Sequence, residues 1–225
     1  MDAHETEKIL AARSAARAVR DGMIVGLGTG STVAHFLTEL AERRPQRLRC
    51  VATSPGTEAA ARRVGLPVEA FDRLERLDLA VDGADQVSPE LWLVKGGGGA
   101  HAREKVVAAA ASRFVVIVGS DKLVEKIVPP IPLELMPFGL IATLRRLSSL
   151  GEVARREAPA TPDGNVLVDL LGRVDDPAAL ARELDAVPGV IAHGIFPVDL
   201  VSEVLIGKPD GSVERRSAAA GARPS

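Results

Sequence analysis

Three short stretches of this chain hold residue types that bind anions or move protons. The first is Gly26-Leu27-Gly28-Thr29-Gly30-Ser31-Thr32, where an apolar run ends in glycines and a new periodicity begins. A helix N-terminus offers unpaired N–H groups and the positive end of its dipole, and glycines let an anion approach the backbone. Thr29, Ser31 and Thr32 add hydroxyls, and with Gly30 they make a set that suits a phosphate. A dinucleotide fingerprint fails here, because Ser31 stands where a third Gly or Ala is wanted. The next strand ends in Thr53-Ser54, with no acid for a ribose diol. No Gly-Lys-Ser/Thr follows, so a Walker A loop fails too. A tight strand-to-helix turn that binds nothing is the plainer alternative.

The second stretch is Asp82-Gly83-Ala84-Asp85 at the carboxyl end of a predicted strand, the end where open α/β sheets bind ligands. Two carboxylates three residues apart on such a turn can converge on one small polar molecule, or they can be solvated acids of an Asx-type turn. The third is Lys95-Gly96-Gly97-Gly98-Gly99, followed by Arg103-Glu104-Lys105 on a predicted helix. Four consecutive glycines are conformationally costly, and a flexible linker does not usually separate an apolar strand from an apolar helix. Lys95 could stabilise a developing oxyanion. Glu104 on its own looks like an ordinary helix-surface charge. Its place one to two turns behind the glycines would also let it act as general base for a proton on carbon. His4, His35, His101 and His193 are scattered without metal-ligand spacing, and Ser54, Ser120 and Cys50 lack the context of a nucleophile elbow.

A phosphate cradle, carboxylates and a lysine fit proton abstraction beside a carbonyl. The simplest such reaction is aldose–ketose isomerisation of a sugar phosphate.

The elements that must position these groups follow from periodicity. Helix 4–20 precedes strand 23–27, the Thr29 loop, a helix with Val33, Phe36, Leu37 and Leu40 on one stripe, strand 48–52 and helix 57–64. Strands 77–81 and 91–94, helix 100–112 and strand 114–118 complete an alternation that implies parallel βαβ units. After Val128-Pro129-Pro130-Ile131-Pro132 the order becomes strand 131–135, helix 138–150, strands 152–157 and 166–170, helix 176–186 and strand 190–195, a ferredoxin-like βαββαβ unit. The expected fold is α/β: a Rossmann-like parallel sheet with helices on both faces, plus a smaller ferredoxin-like α+β domain. The expected domains are 1–129, rejoined by 200–216 through strand 201–206, and 130–199, with 217–225 a disordered tail.

Composition agrees. The 225 residues are 46% hydrophobic with five Phe, one Trp and no Tyr, so Ala, Val and Leu build the core. Net charge −2 without a basic stripe argues against nucleic acid. The single Cys50 forbids an intramolecular disulfide. No segment approaches the ~18 apolar residues of a membrane helix, and the start MDAHETEK is too polar for a leader, so a cytoplasmic protein without membrane partners is expected.

GLGTGSTVAHF, VDGADQV, LVKGGGGAHAREK, GSDKLV, PLELMPFG, DGNVLVDL, VPGV and LIGKPDG occur in this order across residues 5–216. In these motifs the chain resembles the type A ribose-5-phosphate isomerases. The resemblance implies interconversion of ribose 5-phosphate and ribulose 5-phosphate in the pentose phosphate pathway, with no metal or organic cofactor, by a homo-oligomer, dimer or tetramer. It places Glu104 as the proton-transferring carboxylate, buried in the cleft, and Lys95 as the lysine that steadies the negative oxygen. Asp82 and Asp85 become the pair that binds sugar hydroxyls, Asp82 also opening the furanose ring. Thr29, Gly30, Ser31 and Thr32 fall in the substrate loop, Gly83 and Ala84 between the aspartates, and Gly96, Gly97 and Gly98 in the second glycine loop. Lys122 matches a substrate-binding lysine and Lys8 a phosphate-contacting one. Sensor domains that bind sugar phosphates without turnover share the architecture, and Glu104 with Lys95 argues against them. Two departures stand out: Gln86 replaces the acid that usually follows DGAD, and Pro55-Gly56 is unusual in the segment 53–57.

Overall fold

The computed structural model describes residues 3–217. The chain begins with α1 (Ala3–Ala16), β1 (Ile24–Leu27), α2 (Ser31–Arg43), β2 (Arg49–Ala52), α3 (Pro55–Arg63) and β3 (Leu79–Asp82). It continues through β4 (Gln86–Val87), β5 (Leu93–Val94), α4 (His101–Ala110) and β6 (Phe114–Gly119). Then come β7 (Ile131–Leu135), α5 (Leu140–Leu147), β8 (Val153–Arg155), β9 (Val166–Leu170), α6 (Pro177–Asp185) and β10 (Val190–His193). The last elements are β11 (Ile195–Phe196), β12 (Glu203–Gly207) and β13 (Val213–Ser217). Two compact units result: Met1–Ala84 with Arg103–Leu123 and Val198–Ser225, and Asp85–Ala102 with Val124–Pro197.

The first unit is built on a six-stranded sheet in the order β13-β12-β6-β3-β1-β2. Every pair is parallel except the β12–β13 hairpin. All residues of β3, β6 and β12 are buried, as continuous apolar runs in a parallel sheet require. Helix α1 meets the core through Ala11, Ala12, Ala15 and Ala16, whose small side chains allow close approach. The chain leaves β1 for β2 on one side and returns to β3 on the other. Their carboxyl ends therefore form the topological switch point where such sheets open a crevice.

The second unit carries the four-stranded antiparallel sheet β10-β7-β9-β8, with α5 and α6 as its crossovers, so the expected βαββαβ unit is present. Its core gathers Ile131, Leu133, Leu135, Leu147, Val168, Leu170, Leu180 and Leu184. The strand expected over 190–195 breaks at Gly194 and continues as β11 in a small sheet, β11-β5-β4. There Gly194 donates N–H to Pro132 at 2.7 Å and accepts from Lys95 N–H at 2.9 Å, bridging two sheets at a point where a Cβ would strike the Lys95 carbonyl. The tail expected to be disordered lies outside the described residues except for Ser217, which ends β13.

Cys50, on β2, is wholly buried. Loss of solvation first, and the charge of Glu69 second, push its thiol from the ordinary 9.0 up to about 12. Because the unfolded thiol ionises first, this stabilisation is complete below pH 9 and is lost as pH rises toward 12. An aromatic disulfide reagent near pH 8 should leave the folded protein unlabelled and react at once after urea unfolding; prompt labelling of the folded chain would contradict the burial.

Candidate active site

At the carboxyl edge of the first sheet, register sets Leu27 beside Val81. The next residues, Gly28 and Asp82, therefore meet side by side. A Cβ on Gly28 would collide with the Asp82 carboxyl group, so glycine is what lets the carboxylate lie on the loop. One oxygen of Asp82 accepts N–H from Thr29 at 3.0 Å and from Gly83 at 2.8 Å. Asp82 is only 3% exposed. Helix α2 begins immediately afterwards at Ser31, with Gly30 at φ 126° and no side-chain cap on its N-terminus. The first N–H groups of a helix and hydroxyls at its start, here those of Ser31 and Thr32, are groups that can receive an anion.

A chain of hydroxyls holds this loop from behind. Thr29 Oγ1 donates to Ser54 Oγ at 2.9 Å, Ser54 to Thr57 Oγ1 at 3.0 Å, and Thr57 to the Gly28 carbonyl at 2.8 Å. Thr53 Oγ1 lies 2.9 Å from Thr29 Oγ1 and donates to the Leu27 carbonyl at 3.2 Å. Ser54 also caps α3 by accepting Thr57 N–H at 3.1 Å, with Pro55 in the first helical turn. The unusual Thr53-Ser54-Pro55-Gly56-Thr57 segment is thus a capped helix start. Sequence reasoning began that helix at 57 and passed over Ser54, although Ser-Pro is a helix-start signal.

Lys8 and Lys122, the two lysines expected at the substrate, both belong to this unit. Lys122 lies in a 3₁₀ turn, Ser120–Lys122, that follows β6, and pairs with Asp121 at 3.0 Å. Lys8, on α1, pairs with Glu5 at 3.0 Å. His35 and then Lys8 hold the Glu5 carboxyl below the usual carboxylate range by hydrogen bonding. The neighbouring Glu7 is buried and accepts both the N–H and the hydroxyl of Ser120 at 2.7 Å. It thereby ties the helix bearing Lys8 to the turn bearing Lys122. Nothing in the sequence around Glu7 announced that tie.

In the second unit, the Asp85 backbone N–H donates to Val94 at 2.8 Å, and its carboxylate accepts Gly97 N–H at 2.8 Å. Gly96 sits at φ 105°, where a Cβ would come 2.6 Å from His101 Nδ1 and 2.9 Å from Pro132 Cβ. Gly97 and Gly98 form an exposed turn closed by Gly99 N–H on the Gly96 carbonyl at 3.0 Å. Lys95 is buried, with Nζ 5.5 Å from the centre of the Phe196 ring, a cation–π distance. Ala84, half-buried, ends the first unit one residue before Asp85.

Helix α4 follows the glycines directly. Glu104 occupies its first turn, where the helix dipole favours a carboxylate, and is 4% exposed. Flanking Arg103 and Lys105 are half-buried. Read alone as a surface charge, Glu104 is instead a buried one.

The family model described as ribose 5-phosphate isomerase A (phosphoriboisomerase A) matches residues 49–211. The ribose-5-phosphate isomerase A of Roseiflexus sp. strain RS-1 is 46% identical over 217 residues, covering 91% of this chain and 93% of that one. A solved D-ribose-5-phosphate isomerase in complex with phospho-erythronic acid is 35% identical, covers 96% of this chain and 100% of its own, and superposes with a TM-score of 0.90. Ribose 5-phosphate isomerase A from Methanocaldococcus jannaschii is 36% identical over 93% of this chain and 97% of its own, at a TM-score of 0.86.

Thr57→Val keeps the shape of the side chain and leaves the buried Gly28 carbonyl without its hydroxyl donor. It should lower stability by about 1–3 kcal/mol, read as a shifted urea midpoint. Thr53→Val should cost less, since the Leu27 carbonyl keeps the Thr53 N–H at 3.0 Å. Equal costs would contradict the hydroxyl chain.

Proposed function

The chain belongs to the ribose 5-phosphate isomerase A family, which interconverts ribose 5-phosphate and ribulose 5-phosphate, and from that premise we propose that Glu104 carries the proton between C2 and C1. The observation that carries this reading is a carboxylate 4% exposed in the first turn of the helix that follows the glycine loop. In the open-chain aldose, Glu104 takes the C2 proton, and the electron pair moves through C1 onto the carbonyl oxygen. The resulting enediolate regains that proton at C1 while the O2 proton passes to O1, leaving the C2 carbonyl and C1 hydroxyl of the ketose. Carbon 1 is reduced as carbon 2 is oxidised, so the chemistry needs no external redox partner. Lys95 supplies positive charge to the enediolate oxygen.

Asp82 and Asp85 bind the sugar hydroxyls, with Gly83 and Ala84 between them, and Asp82 moves the proton that opens the furanose ring. Thr29, Gly30, Ser31 and Thr32 at the start of α2, with Lys122 and Lys8, take the phosphate. Gly96, Gly97 and Gly98 offer backbone to the sugar. The ligand of the solved relative, phospho-erythronic acid, supports this division, since by its name it carries both a phosphate and a carboxyl group. Among the described residues no helix is long and apolar enough to cross a membrane. We propose a cytoplasmic enzyme. With EDTA present, wild type should turn over ribose 5-phosphate and Glu104→Gln should lose ~10²–10⁴-fold in kcat. Undiminished turnover in the variant would remove Glu104 from the proton path.

We also propose a homo-oligomer. Phe138, two residues before α5, and Ile141, in its first turn, are 86% and 85% exposed, with Met136 nearby in sequence at 41%. Single exposed apolar residues are ordinary, but a cluster of large ones supports a protein contact. Light scattering should give a multiple of 23.6 kDa, reduced by Phe138→Ser/Ile141→Ser. A monomeric wild type would overturn the assembly.

A further inference from the structure

We infer that Arg156, held by Asp169, is a positioning residue that aims the backbone of the Gly96–Gly99 loop at the substrate. The inference rests on the isomerase reading of that loop. It adds a residue that touches neither sugar nor phosphate.

The guanidinium has two occupied edges. One forms a bidentate pair with Asp169, Nε to Oδ2 at 2.8 Å and Nη2 to Oδ1 at 2.6 Å. The other sends Nη1 to the Gly96 carbonyl at 2.7 Å and the Gly97 carbonyl at 3.3 Å. Asp169 is itself held within β9, between Pro132 on β7 and Ala154 on β8. A rigid strand thus orients a carboxylate, the carboxylate orients a planar fork, and the fork grips two glycine carbonyls. Both side chains are largely shielded from water, which strengthens the pair. The carboxylates of Asp169 and, at longer range, Asp85 raise the Arg156 pKa further, so the charge persists throughout the working pH range.

Glycines have the most conformational freedom to lose, so a loop of four will not hold one orientation unaided. Here two of its peptide planes, Gly96–Gly97 and Gly97–Gly98, are restrained from outside. The Gly96–Gly97 peptide is held at both ends, its carbonyl by Arg156 and its N–H by the Asp85 carboxylate at 2.8 Å. The C=O and N–H of a trans peptide point in opposite directions. Holding the Gly97 carbonyl therefore turns the Gly98 N–H to the side of the loop away from Arg156. That N–H becomes a preorganised donor for an oxygen that gains charge as the enediolate forms. Lysine could supply charge at position 156 but could not span Asp169 and the loop carbonyls with one planar group.

The test compares Arg156→Gln, Arg156→Lys and Asp169→Asn with wild type by ribose 5-phosphate kinetics, melting temperature and amide hydrogen exchange of the 95–101 peptide. Positioning predicts that Arg156→Gln and Arg156→Lys both lose roughly 10–100-fold in kcat, less than the ~10²–10³-fold of a deleted oxyanion donor, with KM changed less than about threefold. Loop exchange should rise at least about tenfold with the melting temperature near wild type, and methylguanidinium should partly restore kcat in Arg156→Gln. Asp169→Asn should follow in the same direction with a smaller loss. A fall in melting temperature with kcat, KM and loop exchange of the folded protein unchanged would overturn the inference, as would full rescue by lysine. If Glu104→Gln stays active while Arg156→Gln shows the predicted losses, it is the base assignment that fails and not the loop.

Discussion

A carboxylate lying on a glycine backbone organises the carboxyl edge of the main sheet. Asp82 ends β3 and Gly28 follows β1, and the parallel register of those strands brings them together at the switch point. Because residue 28 has no side chain, one oxygen of Asp82 can gather the N–H groups of Thr29 and Gly83. This fixes the path of the loop before it turns through Gly30 into α2. The Thr57 and Ser54 hydroxyls act on the same few atoms from the other side. Any residue larger than glycine at 28 would displace the carboxylate, the loop and the helix start together.

Much of this was legible in the sequence, for a physical reason. Glycines at 28, 30 and 96–99, and charges at 82, 85, 95 and 104, are residue types whose local cost needs a reason, so they mark a site even without coordinates. The alternation of strands and helices identified most of the parallel sheet, because burial on both faces writes itself as unbroken apolar runs; it also counted 91–94 in that alternation, whereas β5 pairs antiparallel with β4 and β11 in a third sheet. Supporting groups were not legible. Glu7 meets Ser120 across more than a hundred residues, and Arg156 reaches Gly96 across sixty. No local pattern encodes such pairings. The same holds for the burial of Glu104, whose charged neighbours imitate a solvated helix face. Strand ends failed where tertiary pairing decides them: Gly194 splits one expected strand between two sheets, and the short β4 exists through its pairing with β5.

The two positions that the resemblance marks as unusual, Gln86 and Pro55-Gly56, are tied into the structure of this chain. Gln86 donates its amide N–H to the Val128 carbonyl at 2.8 Å and accepts the Val128 N–H at 2.9 Å. A carboxylate could accept but not donate, so the amide completes a two-way pairing that an acid would leave half made. Ser54-Pro55 starts a helix while the Ser54 hydroxyl stays within the network behind Thr29. In both places the residue present makes hydrogen bonds of its own.

The chain passes between its two units after Ala84, Ala102, Leu123 and Pro197. Synthesis on the ribosome therefore cannot finish the first unit before the second has emerged. Until residues 203–207 appear, β6 lacks its β12 neighbour and presents six apolar or glycine residues along an open sheet edge. Such an edge is a template for pairing with other nascent chains. A ribosome that stalls within the second unit thus releases a product more prone to aggregate than either an early fragment or the finished chain.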